Sequence, residues 1–388
     1  MPKRRVAIVP DFSERYDRSV VEGVSRFVHE TSRWSLYVPP DPLHRVSMLK
    51  HWQGDGIIAN FDDSGVVEIV RRKRLPAVGF GGGEGFRTKN IHYLATDDDA
   101  IGRMGAKHFL ERGFRQFAYC AMPLTKRNQP WSEVRGRAFK EEVEQAGYQC
   151  HLFRPSDAVS SNWSRLLAAL STWLTKLPLP IGILAAYDVR ALNVLEACRE
   201  VGLQVPDSVA VLGVDNDEQV CELGLPPLSS IIQGGERLGY EAAALLDHLM
   251  SGKSGPPGAI RKIPPAGVAI RQSTDTLAID DDQVVAALRY IRDHACQGIR
   301  VNDVMRQVSV SRVTLEHRFK RLVGCTLHEE IKRIQLRQVQ ELLTTTDLPN
   351  HEIAHQTGFE YAEYLSTLFR RTTGRTLGQY RRESRGHT

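Results

Sequence analysis

Long apolar runs, paired cysteines and a surplus of charge are all scarce in this sequence. The six cysteines (Cys120, Cys150, Cys198, Cys221, Cys296 and Cys325) lie 23 or more residues apart. That spacing offers no Cys-x-x-Cys pair and no disulfide framework, and it fits reduced thiols in a cytoplasmic protein. No apolar stretch approaches the roughly 18–20 residues of a membrane span. The run that follows the basic start, Val6 to Pro10, ends at Asp11, too short for a secretory signal. With 51 Lys and Arg against 46 Asp and Glu, the net charge of +5 over 388 residues is too small to mark the whole chain as a nucleic-acid binder. What remains is ordinary globular composition, 41% apolar and 25% charged, in a chain long enough for two or three domains.

The charge is unevenly spread. Residues 281–388 hold 17 Lys and Arg, 15 of them Arg, against 13 Asp and Glu, so +4 of the +5 falls there. Guanidinium forks suit phosphate oxygens, and nucleic acid is therefore sought first in this segment.

Hydrophobic periodicity divides the chain in the same way. From residue 5 to about 272, apolar runs such as RVAIV, DGIIANF, PAVGF, QFAYCA, IGILAAY and SVAVLGV alternate with amphipathic stretches of 10 to 17 residues. Strand and helix in alternation imply parallel sheets covered on both faces, here as two wound halves near 5–95 and 113–230, with a return crossing after Pro226-Pro227. Ligands of such folds sit beyond the carboxyl ends of the strands, in the cleft between facing lobes. From 280 to 383 the pattern is helical throughout, in seven segments: 281–295, 301–308, 312–322, 326–344, 350–357, 361–371 and 376–382. The expected division is therefore 1–275 for an α/β two-lobed domain and 276–388 for an all-α domain.

Within the helical part, VNDVMRQVSVSRVTLEHRFKRLVG reads as a helix, a tight break at 309–311 and a second helix with Leu315, Phe319 and Leu322 inward. HEIAHQTGFEYAEYLSTLFRRTTG repeats the plan about 49 residues later, with Gly358 at the break. These are two helix-turn-helix motifs, 301–322 and 350–371, joined by one long helix. Aligning their apolar positions puts Arg312, Val313, Glu316 and His317 on one groove-facing surface, with Lys320 further along it. Ala362, Glu363, Ser366 and Thr367 take the corresponding places on the other, and Arg370 and Arg371 lie beyond, where phosphate is the expected partner. Two other motifs are decoys. His351-Glu352-Ile353-Ala354-His355 has zinc-protease spacing but is cut short by Gly358, and Gly79–Gly85 fails the dinucleotide pattern at its last position. Glu352-Ile353-Ala354, Gly358-Phe359, Tyr364-Leu365, Phe369-Arg370, Gly374 and Tyr380-Arg381 resemble the arabinose-regulator (AraC/XylS) type of DNA-binding domain.

The α/β part has no arrangement of nucleophile and base and no phosphate loop, and no cofactor or metal is expected. It does place polar groups at strand ends: Asp17, Phe61-Asp62-Asp63, Asp188, Asp215-Asn216 and Gln233, with Arg135 in the first turn of a helix opening at Trp131. Carboxylates, amides and one guanidinium answer a polyhydroxylated ligand, and Phe61 could cover the C–H face of its ring. For Asp188, helix capping is an equal alternative. VLGVDN, PPLSSIIQ, RLGYEAAALL and Arg135-Gly136-Arg137-Ala138-Phe139 look like the lactose-repressor and ribose-binding-protein type of sugar sensor. That resemblance implies sugar contact at Asp215, Arg135 and Gln233. The order of the two units is inverted relative to those repressors.

The pairing of such a sensor with a double helix-turn-helix is similar to the xylose-operon-regulator family. It implies a D-xylose-responsive activator, a homodimer on half-sites in double-stranded promoter DNA, and contact with RNA polymerase. From the residues alone a repressor, another sugar, or a sugar-modifying enzyme with a DNA-binding tail stay open.

Overall fold

The computed structural model describes residues 3–39, 44–81, 91–124, 130–253, 260–276, 279 and 281–385. The chain forms two compact units, Met1–Ala278 and Ile279–Thr388.

The first unit has two lobes, each built on a six-stranded sheet. In the first lobe the order is Ile260–Ile263, His92–Thr96, Ala77–Phe80, Gly56–Asn60, Arg4–Val9, Trp34–Tyr37, all parallel. In the second it is Gly267–Ala269, Ser229–Ile232, Val209–Val214, Ile181–Ala185, Phe117–Cys120, Cys150–Phe153, parallel except for the Gly267–Ala269 edge. Central strands such as Ile181–Ala185 and Val209–Val214 are buried throughout, which explains their continuous apolar sequence rather than an alternating one. The chain passes between lobes three times. Helix Asp98–Leu110 leaves the first sheet to pack in the second lobe's core, helix Gly235–Met250 returns to the first, and the chain crosses again after Ile263. A Cβ at Gly102 would lie 2.3 Å from the Arg135 carbonyl. Only glycine therefore lets helix Asp98–Leu110 approach helix Pro130–Gln145 this closely, and the approach brings Asp98 to Arg135.

The second unit is helical. Its seven α-helices among the described residues are Asp282–His294, Val301–Met305, Arg312–Val323, Leu327–Thr345, Asn350–Gln356, Ala362–Thr373 and Leu377–Arg385. Their starts are written in the sequence. Ser311 accepts from the Thr314 N–H at 3.2 Å to cap helix Arg312–Val323, and Thr326 with Glu329 forms a capping box on the long linking helix Leu327–Thr345. Leu315 and Phe319 are buried on helix Arg312–Val323, and Leu365, Leu368 and Phe369 on helix Ala362–Thr373. None of the helices in either unit is long and apolar enough to cross a membrane, among the described residues.

Candidate functional site

A cavity of about 330 Å³ lies where the carboxyl ends of the two sheets meet. It is at the small end of the roughly 300–1,000 Å³ usual for ligand sites, a size suited to a monosaccharide. Its wall is polar and acidic. The first lobe supplies Asp11, Glu14, Asp17, Asn60 and Asp62; the second supplies Arg135, Asp215 and Gln233. Tyr16, Trp131 and Tyr187 provide the aromatic surface.

Several of these polar groups are held by defined partners. Asn60 Nδ2 donates to both Asp17 carboxylate oxygens at 2.9 and 3.0 Å, and the Asp11 N–H adds a third bond at 2.5 Å. Burial nevertheless pushes the Asp17 carboxyl up to about 7, against those bonds. Burial also raises Glu14, and the neighbouring Asp11 adds to the effect. Asp11 itself, despite partial burial, is held low by its bonds to Ser13 and by Arg45. Arg135 is fully enclosed. Its Nε donates to Asp98 at 2.7 Å, its Nη1 donates to the Ala186 carbonyl at 2.8 Å, and its guanidinium carbon sits 4.4 Å from the centre of the Trp131 ring. Gln233 donates to Asp215, whose carboxyl is raised well above the ordinary range, first by burial and then by Asp188. The Tyr16 hydroxyl is buried in the cavity wall with no hydrogen-bond partner among the described residues. A buried donor left unmade costs about 1–3 kcal/mol, and a ligand hydroxyl would answer it.

Five sequence-predicted residues, Asp17, Asp62, Arg135, Asp215 and Gln233, line this cavity together. Phe61, Asp63, Asp188 and Asn216 do not reach its wall. Phe61 is 1% exposed and lies in the first lobe's core with its ring tilted on Tyr93 at 6.0 Å, so it cannot cover a sugar ring. Asp188 is 1% exposed and is spent on internal bonds. It accepts from the Ser230 hydroxyl at 2.6 Å and the Asp217 N–H at 2.8 Å, and burial raises its carboxyl to about 7. Its side chain does not cap its own helix; Tyr187 stands at that position. Asn216 turns away to accept from Arg271 at 3.0 Å. Of the adjacent aspartates, Asp62 faces the cavity, whereas Asp63 accepts from the Gly65 N–H to cap helix Ser64–Lys73.

Sequence reasoning missed Asp11, Glu14, Tyr16 and Asn60 as site residues. Asn60 and Asp11 sit at ends of apolar strands and could have been found by that position. The aromatic surface expected from Phe61 is supplied by Trp131 and Tyr187, edge-on at 6.3 Å.

In the helical unit, Arg312, Val313, His317 and Lys320 are exposed along helix Arg312–Val323, and Arg312 donates to Glu316 at 2.8 Å. On helix Ala362–Thr373, Glu363, Thr367, Arg370 and Arg371 are exposed, with Ala362 and Ser366 partly so. The Ser366 and Thr367 hydroxyls donate back to the carbonyls of Ala362 and Glu363, leaving their lone pairs outward. A groove between the two motifs carries Arg300, Arg312 and Lys332, with exposed Tyr361 and Tyr364 on its rim. His351 and His355 are exposed on helix Asn350–Gln356, and no cluster of three metal-ligating side chains occurs among the described residues. Gly79 and Phe80 end a strand, while residues 82–85 of the glycine-rich stretch lie outside the described residues.

Three families match the chain: the XylR N-terminal domain over residues 5–99, the periplasmic binding protein-like domain over 106–274 and a helix-turn-helix domain over 304–383. The xylose operon regulatory protein of Escherichia coli K12 is 34% identical over 98% of this chain and 97% of its own length. That of Haemophilus influenzae is 32% identical over 97% and 98%. A solved structure described as the xylose-binding transcription activator xylR superposes with a TM-score of 0.77 at 32% identity, covering 98% of both chains. The transcriptional regulator CelR in complex with cellobiose shares the sensor fold, with a TM-score of 0.55 at 23% identity over 70% of this chain and 86% of that one.

Proposed function

The chain belongs to the xylose operon regulatory proteins, a family of transcription regulators rather than enzymes, and on that premise we propose that D-xylose is its effector and that it activates xylose-utilisation genes. The observation that carries the sugar reading is the joint presence of Asp17, Arg135, Asp215 and Gln233 on one small cavity between the lobes. Carboxylates and amides there accept from ring hydroxyls, Arg135 donates to a ring or hydroxyl oxygen, and Trp131 and Tyr187 cover apolar C–H surface. The unpartnered Tyr16 hydroxyl takes a further sugar oxygen.

A ligand that touches both lobes favours the closed arrangement by its differential affinity for it, and closure alters how two protomers present their reading helices. The chain then works in the cytoplasm as a homodimer on two half-sites and contacts RNA polymerase when activating. Arg312, Val313, Glu316 and His317 read bases from one helix, and Ala362, Glu363, Ser366 and Thr367 read from the other. Lys320, Arg370 and Arg371 meet phosphate.

Calorimetric titration of the whole chain against pentoses and hexoses tests the effector. D-xylose is expected to bind most tightly, and Asp215→Ala to abolish that binding with the far-ultraviolet circular dichroism unchanged. A hexose preferred over D-xylose, or full affinity in the variant, would contradict the assignment.

A further inference from the structure

A hydrogen-bonded route leads from the cavity wall at Asp215 to the end of the sensor unit, and beyond Asp215 none of its residues lines the cavity. It begins at Asp215 and Asn216, whose φ values of 114° and 51° are both in the left-handed region that non-glycine residues rarely adopt. Asp215 faces the cavity; Asn216 faces away. The Asn216 N–H donates to the Ser230 hydroxyl at 2.9 Å, and its side-chain oxygen accepts from Arg271 Nη1 at 3.0 Å.

Arg271 is a hub. Nη1 also donates to the Leu228 carbonyl at 3.0 Å, Nε pairs with Glu222 at 3.3 Å, and its own N–H donates to the Ser229 hydroxyl at 2.8 Å. The residues that follow it are stapled to the same lobe. The Ser273 hydroxyl donates to the Val211 carbonyl at 2.6 Å, and the Thr274 hydroxyl donates to Ser229 at 2.8 Å. His108 Nε2 lies 2.9 Å from that hydroxyl and is held neutral by burial and Arg112, its pKa lowered to about 3. Arg112 Nε closes the staple on the Thr274 carbonyl at 3.0 Å. A few residues later the chain passes into the helical unit.

We propose that Arg271 couples occupation of the cavity to the segment that leads into the DNA-binding unit. The proposal rests on the sugar reading given above. A sugar hydroxyl that donates to Asp215 selects one arrangement of the strained Asp215-Asn216 pair. The Asn216 side chain passes that arrangement to Arg271, and the Arg271–Thr274 segment carries it along the chain. Arg271 does not line the cavity, so its part is coupling rather than sugar contact.

The test uses the full-length chain and measures two affinities, for D-xylose by calorimetry and for promoter DNA by fluorescence anisotropy with and without saturating D-xylose. In Arg271→Gln, D-xylose affinity and sugar-free DNA affinity are expected to stay within about twofold of the unsubstituted chain. The sugar-dependent change in DNA affinity, about 5- to 150-fold for a typical coupling, should fall to within about twofold of one. By reciprocity DNA should also cease to alter D-xylose affinity. Asn216→Ala cuts the same bond from the other side and should show the same loss of sugar dependence, and it decides the matter if Arg271→Gln does not fold. A full sugar response in either folded variant, or loss of D-xylose binding in folded Arg271→Gln, would overturn the proposal. An unsubstituted chain that binds D-xylose but shows no sugar-dependent DNA affinity would sink the regulatory reading beneath it, and the proposal too.

Discussion

Asp17 shows what the cavity costs the empty protein. Burial raises its carboxyl to about 7, and Asp215, Asp188, Asp98 and Glu14 are shifted in the same direction. A carboxyl whose folded pKa exceeds its unfolded value contributes stability that is full below the unfolded value and is lost as pH rises through the folded one. The sugar-free sensor should therefore lose stability between about pH 4 and pH 7. Asp17→Asn should flatten that dependence, by on the order of 2–4 kcal/mol, in denaturant titrations across this range. The same substitution should raise the D-xylose dissociation constant by about tenfold or more at pH 8, where the acceptor is ionised and most useful to a ligand hydroxyl. Unchanged affinity there would remove Asp17 from the site. The place of Arg135, Asp215 and Gln233 on the cavity wall was legible because polar groups at strand ends and near the start of a helix keep their place in chain order, although Arg135 falls in the second turn of helix Pro130–Gln145 rather than the first. Phe61 and Asp188 misled for one reason. Both lie just beyond strands, Phe61 directly after Asn60 and Asp188 three residues after Ala185, yet one side chain turns into apolar packing and the other into a hydrogen-bond network, and which way a side chain turns depends on neighbours far away in sequence.

At the scale of elements, the two helix-turn-helix pairs were readable because their apolar spacing, caps and breaks are all local. Their mutual placement was not. It is set by Gln335 on the linking helix, 1% exposed, whose Nε2 donates to the carbonyls of Ala295 at 2.9 Å and Gly358 at 3.2 Å while Lys332 donates to its oxygen at 3.0 Å. Lys332 in turn lies over the rings of Phe359 and Tyr364 at 4.5 and 5.2 Å. Gly358, at φ 73°, leaves no room for a side chain: a Cβ would come 2.5 Å from the Gly298 backbone nitrogen. Gln335→Ala removes the amide donor shared by both carbonyls, leaving that of Ala295 only the Gly298 N–H at 3.3 Å, and should cost about 1–3 kcal/mol in thermal unfolding of this unit. It should also relax discrimination between binding sites that differ by one base pair in the spacing of the two recognised grooves. Unaltered discrimination would mean that the linking helix alone sets the spacing. On the reading helices themselves, His317→Ala should relax preference at particular base pairs, at about 1–3 kcal/mol each on the correct site. Arg370→Ala should weaken binding to all sequences and lower the salt slope by about one unit. A site selection with His317→Ala that returned the unsubstituted preference would take that residue out of base reading.

For the whole molecule, ion pairs between described residues join the lobes: Lys262 meets Asp99 at 2.9 Å, and a second pair lies beside the cavity. Arg18 Nη2, next to Asp17, meets Asp217 at 2.6 Å, and Arg18 Nη1 holds the loop carbonyls of Phe12 and Ser13 at 2.9 and 3.0 Å. The pair is partly exposed, so its removal should cost about 1 kcal/mol at most. Arg18→Ala is therefore expected to weaken D-xylose binding by up to about fivefold, chiefly through faster dissociation; an unchanged dissociation rate in stopped flow would show that the pair does not hold the lobes together. The alternation of strand and helix made the two-lobed sensor legible. Its union with a double helix-turn-helix was legible from the abrupt change of periodicity near residue 280. The link between sugar and DNA proposed above runs through contacts that no local pattern records. Its most direct test is the affinity of the full-length chain for promoter DNA of xylose-utilisation genes, measured with and without D-xylose for the unsubstituted protein and for Asp215→Ala. D-xylose should tighten binding by the unsubstituted protein by about 5- to 150-fold and leave Asp215→Ala unaffected. DNA binding indifferent to D-xylose, or an Asp215→Ala chain that responds in full, would contradict the assignment of this protein as a sugar-switched regulator.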